Sequence, residues 1–285
     1  MKKEEIWIAL GTLLLTLLLI WTFSDRSPRL KPANPLSYEV VHQWKLPEEL
    51  AEISGISWLP GNRLAAVQDE YGIILIFGLE KGRVLEKIPF AEQGDYEALA
   101  VKGKDAYALR SDGMIYEVLN FEGPERTVNT YTTPFTFKNN MESLAVYSKN
   151  NGLLLTPKNR DLQATDSKGL YEFSLKTKEV ATKPLFKIDL KDKAFTSNRK
   201  SDLQTVFRPS DMAVHPVSGE LYILDGVVPQ LLIMDVSGTL KDVYSFNEEF
   251  FPQPEGIAFS PDGSLFISNE GEKDIPATIT QLRLN

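Results

Sequence analysis

The chain has 285 residues, 42% hydrophobic and 25% charged, with a net charge of −8. That composition is too apolar for disorder, and the acidic balance argues against a nucleic-acid partner, which needs clustered Lys and Arg. No cysteine is present, which excludes disulfides, thiolate metal sites and thiol nucleophiles.

Residues Ile6 to Phe23 form a run of 18 residues without a charge. A helix of that length spans about 27 Å, close to one hydrocarbon core. Trp7 and Trp21 stand near its ends, where the membrane interface favours indole rings. The run predicts one transmembrane helix within an anchor over residues 1–25. A cleaved signal peptide is the alternative, but Ile20-Trp21-Thr22-Phe23-Ser24-Asp25 matches poorly the small residues that cleavage needs. Lys2 and Lys3 in front, and Arg26, Arg29 and Lys31 behind, leave positive-inside counting undecided, while long domains translocate largely regardless of charge. The expectation is a single-pass protein of the cell membrane with its domain outside the cytoplasm. Residues 26–37, with Pro28, Pro32 and Pro35, read as a semi-extended linker.

From Tyr38 to Asn285 the sequence is governed by a repeat. Five phrases correspond: Ser54-Gly55-Ile56-Ser57-Trp58, Glu97-Ala98-Leu99-Ala100-Val101, Glu142-Ser143-Leu144-Ala145-Val146, Ser210-Asp211-Met212-Ala213-Val214 and Glu255-Gly256-Ile257-Ala258-Phe259. Their spacings are 43, 45, 68 and 45 residues. A period of that size built from short strands signals an all-β propeller. In the first repeat, strands over Gly55–Leu59, Arg63–Gln68, Ile73–Leu79 and Arg83–Phe90 alternate with turn sequences such as Pro60-Gly61-Asn62. The last repeat offers only three, over Gly256–Ser260, Leu265–Ser268 and Thr278–Leu284. The spare strand Tyr38–Leu46 is expected to supply its fourth strand and close the ring, removing open sheet edges. The 68-residue spacing predicts a polar insertion over Asp189–Phe207, with one helical turn. Five four-stranded blades then average about 45 residues, a usual size for a propeller blade. Six tighter blades are the alternative.

In a propeller the first strand of each blade lines the central channel, and its start lies on the same face as the loop after the second strand. Glu97, Glu142, Asp211 and Glu255 are therefore candidate metal ligands at one channel mouth. Asp69, Arg110, Lys158, Asp225 and Glu270 are candidate ligand-binding residues from the adjoining loops. Clustered carboxylates repel one another unless neutralised. A Ca²⁺ ion would neutralise them with six to eight oxygen ligands; Arg110 and Lys158 would do so without metal. A purely structural role, bonding neighbouring backbone N–H groups and locking blades together, is the third reading.

Standard catalytic patterns are missing. The two histidines, His42 and His215, fall away from the acids, so no Ser–His–acid triad is expected. Neither a Gly-x-Ser-x-Gly elbow nor a phosphate-cradling glycine loop occurs. Ser197-Asn198-Arg199-Lys200 matches Ser-x-x-Lys, a pattern common by chance.

Three phrases carry a family likeness: Glu52-Ile53-Ser54-Gly55-Ile56, Asp95-Tyr96-Glu97-Ala98-Leu99-Ala100, and Gln253 through Gly263 followed by Leu265 through Glu270. Together they resemble the SdiA-regulated (YjiK-like) β-propellers, over roughly Tyr38 to Asn285. Isolated Glu-Gly-Ile-Ala-Phe phrases also occur in NHL-type, gluconolactonase-like and phytase-like propellers. The resemblance implies a bacterial envelope protein with an N-terminal signal or anchor, a link to calcium, and no established reaction. Ser54 and Ser210 in two of the acid positions, and Asn269 before Glu270, depart from a full acidic ring. The leading expectation is a membrane-anchored module binding Ca²⁺, a small molecule or a protein partner on the channel face, without catalysis. The alternative is a Ca²⁺-dependent hydrolase of phosphoesters or lactones.

Overall fold

The computed structural model describes residues 36–198, 202–272 and 275–284. The expected anchor, and the linker up to residue 35, lie outside the described residues. Among the described residues no helix is long and apolar enough to cross a membrane.

The first described strand is β1 (Tyr38–Lys45). Blade one follows as β2 (Ile53–Leu59), β3 (Arg63–Gln68), β4 (Tyr71–Gly78) and β5 (Arg83–Gln93). Blade two is β6 (Tyr96–Lys102), β7 (Asp105–Arg110), β8 (Ile115–Leu119) and β9 (Thr127–Tyr131). Blade three contains β10 (Met141–Tyr147), β11 (Gly152–Pro157), β12 (Ser167–Ser174), β13 (Glu179–Val180) and β14 (Phe186–Asp189), the last two both paired with β12. Blade four is β15 (Pro209–Val214), β16 (Leu221–Asp225), β17 (Gln230–Met234) and β18 (Leu240–Ser245). Blade five is β19 (Pro254–Phe259), β20 (Leu265–Asn269) and β21 (Thr278–Leu284). β1 pairs antiparallel with β21, from Tyr38 opposite Leu284 to Lys45 opposite Thr278. Five sheets, and not six, account for the repeat.

Burial explains the composition of each strand. Second and third strands have a neighbouring blade on both faces, so they read as continuous apolar runs. Leu64 through Val67, Leu153 through Leu155 and Leu231 through Met234 are all buried. Fourth strands lie at the rim: β9 is exposed or half-buried throughout. The five apolar clusters each join adjacent blades. One packs Val67, Ile74 and Ile76 of blade one against Tyr96, Leu99 and Tyr116 of blade two. Another packs Phe266 and Ile279 of blade five against Ile56 and Phe77 of blade one.

Close to the axis the first strands nearly touch. A Cβ added to Gly55 would stand 2.7 Å from the Leu99 backbone nitrogen, and one on Gly256 3.0 Å from that of Ile56. Only glycine permits this backbone approach.

The insertion before β15 departs from the expected polar loop. It contains two 3₁₀ turns, Lys193–Asn198 and Leu203–Thr205. Phe195 and Phe207 are buried in the cluster between blades three and four, their rings 5.6 Å apart. Two apolar anchors pin a segment whose charged composition hides them.

Candidate functional site

Each first strand carries a β-bulge at the start of the repeat phrase. In β6, Tyr96 faces Arg110 and Ala98 faces Leu109, so Glu97 is the extra residue. Glu142 occupies the same position in β10, and Glu255 in β19. The register shifts again between Ile53 and Ile56 in β2, and between Pro209 and Met212 in β15. A bulge frees one residue from the ladder and re-aims its side chain. Three glutamates are thereby gathered at one end of the channel, with Ser54 and Ser210 in the other two blades.

Lys158, in the loop after β11, pairs with Glu142, whose other oxygen accepts from the Asn140 amide. Burial would lower the Lys158 ammonium, but Glu142, Glu255 and Glu97 together hold it above its ordinary value. One lysine thus feels three glutamates. Burial raises Glu97 most, reinforced by Glu142 and Asp95 against the pull of Lys158. It also raises Glu142 and Glu255, again against Lys158. Glu270 accepts from the Gln253 amide and is pushed to about 7, by burial first and then by Glu255, Asp69 and Glu52. Asp69 is raised by burial and by Glu52, Asp95 and Glu70. The mouth holds more carboxyl groups than cations, and the surplus is held back from ionising.

Two further cations support this cluster, and the repeat did not reveal them. Lys168 on β12 is fully buried. Its ammonium donates to three consecutive carbonyls, those of Pro157 (3.4 Å), Lys158 and Asn159 (3.1 Å). It fixes the loop that presents Lys158. Burial pulls Lys168 down to about 7, partly offset by Asp225 and Asp161. Arg208, just before β15, donates from one terminal nitrogen to the Asn159 side chain at 3.0 Å, while its buried Nε has no partner among the described residues. Its charge lowers the pKa of both Glu142 and Glu255. The available signal for Arg208 was its place two residues before the fourth repeat phrase; for Lys168 it was a lysine in an otherwise apolar strand.

Three expected site residues are held by other partners, although Asp225 and Asp211 still feel the charge of Glu255. Asp211 is one residue out of phase with the glutamates. It is buried and accepts the Ile257 N–H at 3.0 Å, stitching blade four to blade five. Asp225 accepts the N–H groups of Arg208, Val227 and Val228 at 2.9–3.0 Å, holding a turn. Arg110 is engaged by Asp112 and by the Tyr116 hydroxyl at 2.9 Å, in its own blade. The mouth therefore unites Glu97, Glu142, Glu255, Lys158, Glu270 and Asp69.

Lys158 already gives Glu142 the positive charge that a divalent cation would give. Among the described residues, no group of three or more His, Asp and Glu side chains is arranged to hold a metal ion. The donor set does not fit the coordination shell that Ca²⁺ takes. His215 sits at the opposite end of β15, between Tyr222 and Phe259, and His42 lies against Trp44.

Beyond the mouth, the far half of the channel is apolar. A cavity of about 310 Å³ is lined by all five first strands, including Leu99, Leu144, Met212 and Ile257.

These features define a five-bladed propeller with a cluster of charged side chains at one channel end and an apolar cavity at the other. The chain belongs to the SdiA-regulated family, which matches over residues 33–273. Among solved structures it is similar to a glutaminyl cyclase from Myxococcus xanthus, at 14% identity and a TM-score of 0.61, covering 88% of this chain and 98% of that one. It is also similar to the PQQ-bound aldose sugar dehydrogenase of Streptomyces coelicolor, at 13% identity and a TM-score of 0.53, covering 90% and 100%. At such identities the likeness is one of fold alone. Comparison with curated proteins gave no significant match.

Proposed function

We propose that this chain is a membrane-tethered envelope propeller whose channel mouth binds a small polar ligand carrying a positive charge, without catalysing a reaction. The observation that carries the reading is one lysine shared among the buried Glu142 and Glu255 and the half-buried Glu97, with Glu270 and Asp69 beside them. A cation arriving there lets carboxyl groups ionise that are otherwise held protonated, and each ionisation adds attraction. The misfit with Ca²⁺ ligation favours an organic ammonium or guanidinium group over a metal ion. The uncharged run Ile6–Phe23 and the family membership support the tether, and a domain outside the cytoplasm. The pairing of β1 with β21 supports closure of the ring by the N-terminal strand.

Isothermal calorimetry on the full chain in detergent micelles tests the binding reading, with arginine amide, ethylenediamine and Ca²⁺ as separate probes. The expected outcome is heat with an organic cation, with affinity about tenfold weaker in Glu97→Gln. Heat with Ca²⁺ alone would replace the organic ligand by a metal ion. Silence with all three sinks the reading. A screen of phosphoester and lactone substrates tests the non-catalytic part: turnover lost in Glu142→Ala with Glu255→Ala would make the protein an enzyme.

A further inference from the structure

A second concave site lies between blades five and one, at the end of the first strands opposite the glutamates. It has a volume of about 540 Å³. Its walls include Trp44 of β1, Trp58 of β2 and Phe266 of β20. Phe266 is buried and backs both indoles, with ring centroids at 6.4 Å from Trp44 and 5.2 Å from Trp58. The Trp44 N–H donates to the Leu79 carbonyl at 2.9 Å, which fixes the plane of that ring. Both indoles remain partly exposed.

Around these rings stand hydrogen-bonding side chains. Glu80 accepts from the Asn62 amide through one oxygen at 3.3 Å, leaving the other available. Asp262 is held as an anion below its ordinary range by the Ser260 hydroxyl and the Ser264 N–H. The Gln281 amide lines the cleft with no hydrogen-bond partner among the described residues. Apolar rings with a few convergent polar groups are the usual make-up of a small-molecule site. Two carboxylates disfavour an anionic ligand. Two indoles and several planar acceptors suit a molecule with apolar C–H faces and hydroxyl edges. A pyranose of gluco configuration has that form: its axial C–H bonds present a flat, electropositive face to the negative face of an aromatic ring, and its vicinal hydroxyls reach carboxylate and amide groups.

We propose that this cleft binds a gluco-configured oligosaccharide. The site is separate from the acidic mouth and uses none of its residues. Saturation-transfer NMR on the full chain in a polyoxyethylene detergent tests it, with cellotriose, chitotriose and choline as probes at about 10 mM, which is enough to populate a millimolar complex. The expected result is transfer to the ring protons of at least one trisaccharide, with affinity about tenfold weaker in Trp58→Ala. Gln281→Ala removes a half-buried amide outside the core and should weaken binding with the melting temperature unchanged, which separates lost recognition from lost folding. Transfer to neither trisaccharide, transfer that survives both substitutions, or transfer to choline alone would overturn the proposal.

Discussion

The two ends of the channel are built from the same five strands, yet they follow opposite physics. At the mouth, bulged residues bring Glu97, Glu142 and Glu255 around Lys158. At the far end, three residues further along each strand, Ala100, Ala145 and Ala258 and their neighbours surround an apolar cavity. Packing alone accounts for the far end. The mouth is held against the unfavourable desolvation of its charges, by ion pairing, by protonation and by a lysine that never reaches the channel. An arrangement that opposes folding so directly is the ground for the proposed binding role of the mouth, since perturbed titration clusters at functional sites.

The contrast can be broken most forcefully at Lys158. Lys158→Met leaves Glu142 buried without its counter-charge and should destabilise the fold by about 3–5 kcal/mol, measured by urea denaturation at pH 8. Glu142→Gln in the same chain should recover much of it. An unchanged denaturation midpoint would mean the pair is not a unit. Next in size is Lys168→Met, which leaves three loop carbonyls without a donor and should cost about 1–3 kcal/mol. Folding lowers this ammonium from 10.5 to about 7. Its contribution to stability therefore rises with pH across that window, because the unfolded chain keeps a proton the native chain has lost. That rise should be missing from the variant's pH profile.

The smallest expected effect comes from Glu270. Its carboxyl is raised by folding from 4.5 to about 7. Between those values the native chain keeps a proton that the unfolded chain has released, so the group's contribution falls as pH rises. Melting temperatures recorded across this range should slope downward, and Glu270→Gln should flatten the slope. A slope identical in both chains would remove Glu270 from the cluster.

Much of this was legible in the sequence. The repeat favoured five blades over six, as the five sheets bear out, and Arg63–Gln68 was read with its observed limits. The same repeat found the three channel glutamates, because a bulge at a fixed place in each blade leaves a fixed place in the phrase. Asp211 was misplaced because a one-residue change of phase moves a side chain from the channel to the space between sheets. Arg110 pairs within its own blade because a loop residue can close its own turn as readily as it can face a ligand, and Asp225 closes a turn while its charge still acts on Glu255. Lys168 and Arg208 escaped notice because their roles depend on where the β11–β12 loop lies, and strand periodicity carries no record of that. The buried Phe195 and Phe207 were masked by the lysines around them.

The five bulges have a consequence for how such a protein can change. A residue at a bulge is the extra one in its pairing, so the identity of its side chain is largely uncoupled from the ladder that holds the blade. These five seats already hold Glu in three blades and Ser in two. The ring therefore works as a socket with interchangeable pins. New ligand chemistry is written most cheaply at Ser54, whose hydroxyl reaches only the Glu52 carbonyl of its own strand entry, whereas at Ser210 it costs the hydroxyl's bond to the Pro254 carbonyl that ties blade four to blade five.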